Sequence, residues 1–519
     1  MLRLDQLTAE QKIGRVLCAR NPLAPGDADF VAHLVKNQAL GCVQMPISPH
    51  AKEEIDRLRG MADYPLLVIT DMERGYAPTG LPSIPLLSLS AANDPAYTRA
   101  FAAAIAANAR ADGYSGCWSP VVDILHGDGP IRASRSAGDT AEGVLSFARE
   151  FVTVFRSYHF LSACKHYPGG DSLMMDTHMA EGVSYATKQE LAEFELVPYV
   201  TLMKEGLLDA IMVGHTLYPN IDPDYPASLS PKVIGIIRRL GFDGLVFTDS
   251  LAMMGILQKY GEAGAMVRAL MAGNDIILPN YRTPMETVYS MMLDAYRNGQ
   301  ITDEALDAAV RRVMRAEQWT AEQPIDPIPV PENIEEVFDD LGRDCICAAC
   351  DEGLAPHIGT EGKKLFVILT EQGYDATITA EVSEGKWYDP QRIAAAIKRR
   401  FAEAEIVTLP EFPTNRDNER VLNVATHHSE VVLVSFCDTA AYLGTDGLTR
   451  RAESVFNALT LSGKVSAILH YGNPMALRPL RPIPRKIYAF SAASSLTHAV
   501  DCLAGLFPPR GKMPLERLM

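Results

Sequence analysis

Basic charge is scarce in this chain: 48 Lys and Arg stand against 64 Asp and Glu, a formal charge of −16. An acidic surface repels phosphate polyanions, so the electrostatic footprint of nucleic-acid binding is missing and a neutral or cationic small molecule suits the chain better. Long apolar runs are also missing. None approaches the roughly 20 residues that span a bilayer, so no membrane-crossing segment is expected. Where a secretory signal would have its apolar centre, Thr8 and Gln11 are spaced as a capping box, which predicts a mature, cytoplasmic amino terminus. The nine cysteines are odd in number and mostly scattered through apolar runs, which excludes a disulfide framework. Cys345, Cys347 and Cys350 do cluster. They lie in an Ala-rich stretch that reads as helix, with no second ligand pair and no His nearby, so reduced packing residues are expected rather than a metal site. No cofactor is called for, and nothing sets an oligomeric state.

What the chain has in quantity is alternation. Apolar runs beginning at Val16, Gly41, Leu66, Gly116, Leu161, Ala210, Gly244 and Asp275 recur with helical stretches between them. Eight strand candidates separated by helices predict parallel pairing and a (β/α)8 TIM-like barrel over 1–320. Helical spacing of apolar residues marks Glu190 to Lys204 and Ser290 to Gln318, with Thr302 as a cap before Asp303. Four prolines between Ala321 and Pro331 forbid regular structure, so a Pro-rich linker is placed at 321–340. Five further runs, from Lys364, Glu405, Val431, Val465 and Lys486, predict a smaller α/β sandwich with a mainly parallel sheet over 341–519.

Ionisable residues follow the barrel's strand candidates. Asp71 comes after the third, Asp123 and Arg135 after the fourth, Lys165 and His166 after the fifth, His215 after the sixth and Asp249 after the seventh. Such ends converge on one mouth of a barrel, so residues distant in sequence would share a cleft. Taken singly, each has a plainer reading. Asp249 stands where it could cap a helix begun at Leu251, Asp123 could cap or face solvent, and His166 and His215 could be hydrogen-bonded core histidines. Their joint occurrence at successive strand ends favours a site.

The motifs resemble glycoside hydrolase family 3, in its β-N-acetylglucosaminidase branch. They are Leu7 to Gly14, Ile69-Thr-Asp71-Met-Glu73, Ser119-Pro-Val-Val-Asp123 with Arg135-Ser-Ala-Gly-Asp139, Lys165 to His178, Pro226 to Ser230, Leu240 to Asp249, Tyr471-Gly-Asn-Pro474 and Pro509 to Pro514. The resemblance implies a retaining exo-enzyme that removes terminal N-acetylglucosamine from small glycosides, muropeptide or chito-oligosaccharide fragments. Asp249 would attack the anomeric carbon to form a glycosyl-enzyme. Most retaining enzymes take the acid/base from a second carboxylate about 5–5.5 Å away, whereas this branch resembles a design with an Asp-His dyad, matched here by Asp176 and His178. Such a His needs little tuning to exchange a proton near neutrality, and the Asp would orient it. Asp71, Arg135, Lys165 and His166 would grip the sugar hydroxyls, with His215 beside or behind them and Asp123 in support.

Three departures from the family pattern are visible. Gly170 and Asp171 stand where the branch has His then Gly, Ser250 follows Asp249 where a second acid is common, and Arg74-Gly75 replaces paired glycines with a later Arg. The alternatives are a β-glucosidase-like enzyme with Glu381 or Glu384 as acid, a phosphorylase, a catalytically lapsed sugar binder, and a metal hydrolase built on His166, Asp171, Asp176 and His178. The last lacks the His-x-His pair that closes the first strand of such enzymes.

Overall fold

The computed structural model describes residues 2–20, 27–126, 135–169, 180–370, 388–437, 447–490 and 495–517. Its contacts divide the chain into two compact units: Met1–Leu81, Thr98–Gly129 and Thr140–Val330 form the first, and Pro82–Tyr97, Pro130–Asp139 and Pro331–Met519 the second. Two short excursions from the barrel's stretch of sequence thus cluster with the later unit, which a single linear boundary does not contain. The expected linker is also shorter than 321–340, because Ala321 ends the helix Asp303–Ala321 and the helix Ile334–Asp344 begins inside it.

In the first unit seven strands lie in chain order and pair in parallel: β1 (Cys18–Arg20), β2 (Cys42–Gln44), β3 (Leu67–Thr70), β4 (Gly116–Cys117), β5 (Leu161–Tyr167), β6 (Ala210–Val213) and β7 (Leu245–Thr248). The eighth run joins the ring through two parallel bridges, Phe247 to Ile276 and Leu17 to Ile277, so the barrel closes between β7 and β1 as expected. Strand side chains alternate faces, and one alternate set fills the interior: Leu67 and Ile69, Leu161 and Ala163, Ala210 and Met212, Leu245 and Phe247, with Cys18, Cys42, Trp118, Ile276 and Leu278. Trp118 packs edge-on against Phe247 with ring centroids 6.1 Å apart. Each large side chain so buried contributes about 1.5–3 kcal/mol.

The outer elements follow local rules. Thr8 accepts from the Gln11 backbone and Gln11 returns the bond, so Ala9–Arg15 starts at the expected capping box. Thr302 caps Asp303–Ala321. The stretch read as Glu190 to Lys204 is two helices, Lys188–Glu193 and Val197–Lys204, because Pro198 can occupy a first turn but not a helix interior. The stretch read as Ser290 to Gln318 is likewise two, Met285–Arg297 and Asp303–Ala321, with Gly299 at φ 72° between them.

The second unit has a six-stranded sheet in the order β10-β9-β11-β12-β13-β8, where β8 is Cys347–Cys350, β9 Leu365–Thr370, β10 Glu405–Pro410, β11 Val431–Cys437, β12 Val465–Gly472 and β13 Arg485–Ala489. The five expected strands are parallel. The sixth corrects the sequence reading: the Cys345–Cys350 stretch is not helical, and β8 is an edge strand pairing antiparallel with β13. Its Ala residues favour helix in isolation, but an open strand edge offers backbone partners that outweigh the preference. None of the nine cysteines is joined in a disulfide.

Candidate active site at the barrel mouth

The interior alternation delivers the site. Continuing each inward series by two residues past Ile69, Ala163 and Phe247 reaches Asp71, Lys165 and Asp249, at the carboxyl ends of β3, β5 and β7. The Lys165 ammonium, 3% exposed, lies 2.6 Å from Asp71 Oδ1 and 2.6 Å from Glu73 Oε1. Asp71 is 52% exposed and Glu73 only 16%, so one carboxylate opens to solvent and the other is held inside. Glu73 belongs to the acidic motif, but it received no role from sequence. Its signal was its place two residues past Asp71, in the turn that follows β3.

His166 is joined to Lys165 by a cis peptide and is buried. Its backbone N–H donates to Asp123 Oδ1 at 3.0 Å, and its Nδ1 lies 2.7 Å from Asp123 Oδ2. A carboxylate only accepts, so Nδ1 carries the proton and the ring is fixed in orientation. Asp123 reaches this position because residues 120–122 run beside β5, with Lys165 N bonded to Pro120 O and Val122 N to Lys165 O. It is fully buried, so it is neither an exposed loop acid nor a cap. Burial and then the Asp123 charge push the neighbouring Tyr199 phenol well up. Beneath Lys165, burial pushes the Cys117 thiol up as well, which keeps it protonated and unreactive.

Asp249 is half-buried. Its N–H donates to Val213 O at 2.9 Å, and Oδ1 accepts from Ser250 N at 2.7 Å. The following helix is Met254–Tyr260, so Asp249 does not cap it and the capping alternative drops out. His215 is buried; its Nε2 lies 3.0 Å from Ser250 O and its Nδ1 2.8 Å from Ser228 Oγ. The carbonyl must accept, so Nε2–H donates to it and Nδ1 can take the Ser228 proton. Both ring nitrogens therefore tie the Asp249 turn to the 226–230 segment, which is a supporting position. That segment is itself fixed, with Ser228 O accepting from Asn274 and Ser230 capping Pro231–Arg239.

Arg135 lies in the stretch Pro130–Asp139, which clusters with the second unit. There the carboxylate of Asp139 accepts from Glu516 N at 3.0 Å and Arg517 N at 2.6 Å, and Asp139 N donates to Pro514 O, so two of the quoted motifs meet. Asp176 and His178, with Gly170 and Asp171, and the alternative acids Glu381 and Glu384, lie outside the described residues. Among the described residues no helix is long and apolar enough to cross a membrane.

Residues 35–316 match the model of the glycosyl hydrolase family 3 N-terminal domain. This chain belongs to glycosyl hydrolase family 3. It is 27% identical over 333 residues to a β-N-acetylglucosaminidase/β-glucosidase of Cellulomonas fimi, a match covering 60% of this chain and 57% of the relative. It is 33% identical over 233 residues to a β-hexosaminidase of Xanthomonas euvesicatoria pv. vesicatoria, covering 43% of this chain and 69% of the relative. A family 3 β-N-acetylglucosaminidase from Paenibacillus sp. FPU-7 shares the fold at a TM-score of 0.82, with 24% identity, 98% of this chain and 99% of that one. The family 3 fold thus extends through both units.

Proposed function

We propose that this family 3 chain is a retaining exo-β-N-acetylglucosaminidase acting on small glycosides. Asp249 is the nucleophile, and the observation that carries the reading is that one interior alternation turns Asp249, Asp71 and Lys165 to the same barrel end. Attack by Asp249 on the anomeric carbon forms an ester-linked glycosyl-enzyme and expels the aglycone. Water then cleaves that ester, returning the sugar with its configuration kept. Asp176 and His178 are proposed as the acid/base dyad: the imidazolium gives its proton to the leaving oxygen, and the neutral ring later takes one from water. Lys165, charged and flanked by two carboxylates, and His166, held by Asp123, grip ring hydroxyls, with Arg135 proposed for the same set. A hydroxyl of the wrong configuration would forfeit its hydrogen bonds to these groups, which sharpens selection.

The Cellulomonas fimi relative carries both β-N-acetylglucosaminidase and β-glucosidase in its name. Aryl β-N-acetylglucosaminide and aryl β-glucoside should therefore be compared side by side. The proposal expects the former to be turned over with the higher kcat/KM, and the first sugar released to be the β-anomer by proton NMR. A first-formed α-anomer, or turnover only with added phosphate, contradicts it.

A further inference from the structure

At the same end of the barrel, on the arc formed by the eighth run, β1 and β2, a pocket opens beside Ser250, the residue after Asp249. Arg20, Gln44, Ser250, Asn280 and Tyr281 line it, over an apolar floor that includes Leu278. Arg20 and Gln44 are register partners on neighbouring strands, and each continues an inward series, two residues past Cys18 and Cys42. The Arg20 guanidinium carbon lies 4.3 Å from the centroid of the Tyr281 ring, and among the described residues the guanidinium makes no hydrogen bond or ion pair. Gln44 likewise has no side-chain hydrogen bond among the described residues. Two carboxylates bonded to residues that line the pocket make no ion pair with Arg20: Asp27 Oδ1 accepts from Met285 N at 3.1 Å and Glu262 Oε2 from Thr283 Oγ1 at 2.8 Å.

In a chain with 16 more acidic than basic side chains, a guanidinium that has no carboxylate among the described residues and stands beside Ser250 is suited to a bound anion. Stacking on Tyr281 occupies the face of the guanidinium and leaves its N–H edge, the fork that pairs with two oxygens at once. The Gln44 amide adds a donor next to it. We infer that this pocket binds a carboxylate carried by the glycoside itself, so that the enzyme prefers an acidic substrate over its neutral counterpart. This rests on the reading of Asp249 as the residue that attacks the sugar. The carboxylate can be on the sugar or on the leaving group, and the shared chemistry is a planar two-oxygen anion.

Two pairs of chromogenic β-glycosides test it. In one pair the aglycone ring carries a carboxylate or a carboxamide; in the other the sugar's C6 does. The readout is the ratio of kcat/KM for the acid to that for the amide, in the wild type, Arg20→Gln and Arg20→Lys. In one pair the ratio is expected to fall at least tenfold in Arg20→Gln and by less in Arg20→Lys, which keeps the charge but loses the fork; the responding pair locates the carboxylate. Ratios that stay constant in both pairs overturn the inference, even if overall activity drops. If the wild type turns over none of the four substrates, the Asp249 reading fails instead. Acetate titration then decides the pocket alone: a chemical-shift response in the wild type that is lost in Arg20→Gln supports it, and equal responses or none in both proteins overturn it.

Discussion

Lys165 is the pivot of the site, because an ammonium almost removed from water needs partners, and it has Asp71 on the open side and Glu73 on the closed side. Glu73→Gln keeps the shape but removes one of the two charges. Hydrogen bonds to charged groups are worth about 1.5–3 kcal/mol, so kcat/KM is expected to fall about 10- to 100-fold. Steady-state kinetics checks this, and an unchanged value would show that Glu73 merely lines the loop. Asp123 acts one step further back, through His166. Asp123→Asn leaves one acceptor for the two His166 N–H groups that Asp123 now holds, so the ring loses its fixed orientation and kcat/KM is expected to fall about tenfold. An unchanged kcat/KM would place His166 outside the chemistry. Much of this was legible from residue spacing: Asp71, Lys165 and Asp249 each stand two places past an interior apolar residue. A supporting place for His215 was among the sequence readings, but its partners were not legible, because only the fold reveals that Ser228 and the Ser250 carbonyl hold its two nitrogens.

At the scale of elements, the first helix shows how a short motif encodes packing. Thr8 and Gln11 start it, and Gly14 lets it lie against the chain entering β2: a Cβ there would sit 1.7 Å from Ala39 O. Backbone cannot yield as a flexible side chain does, so Gly14→Ala is expected to cost about 1–3 kcal/mol or more, read as a lower urea midpoint at unchanged slope. A midpoint within error of the wild type would mean that the approach is looser than described. Next to it, the fully buried Arg15 and Glu317 form an ion pair linking this helix to Asp303–Ala321. Capping and alternation made these elements readable in advance. Breaks inside helical stretches, at Pro198 and Gly299, were hidden because apolar spacing carries across a short turn. The strand Cys347–Cys350 was hidden because its reason to be a strand is β13, more than a hundred residues later.

At the scale of the molecule, the barrel and the mainly parallel second sheet follow from counting runs. The excursions Pro82–Tyr97 and Pro130–Asp139 do not, since no local signal says with which core a segment will pack. The second unit also carries a titration of its own. His470 lies fully inside, between Ser435 Oγ and Asn473 O, and burial depresses its pKa to about 4. The unfolded chain binds that proton near pH 6.5, so between about 6.5 and 4 the unfolded state holds more protons and stability falls as the pH drops. Urea midpoints across that window should decline in the wild type and decline less in His470→Gln. Parallel slopes in the two proteins would count against His470 as the source.

The central claim is that Asp249 becomes covalently joined to the sugar. Incubation with a fluorinated N-acetylglucosamine-type glycoside, which slows the second step, followed by digestion and mass spectrometry, measures this directly. The account predicts a single added sugar mass on the peptide that contains Asp249, absent in Asp249→Ala. A label on another carboxylate, or continued turnover of a natural-type glycoside by Asp249→Ala, contradicts it.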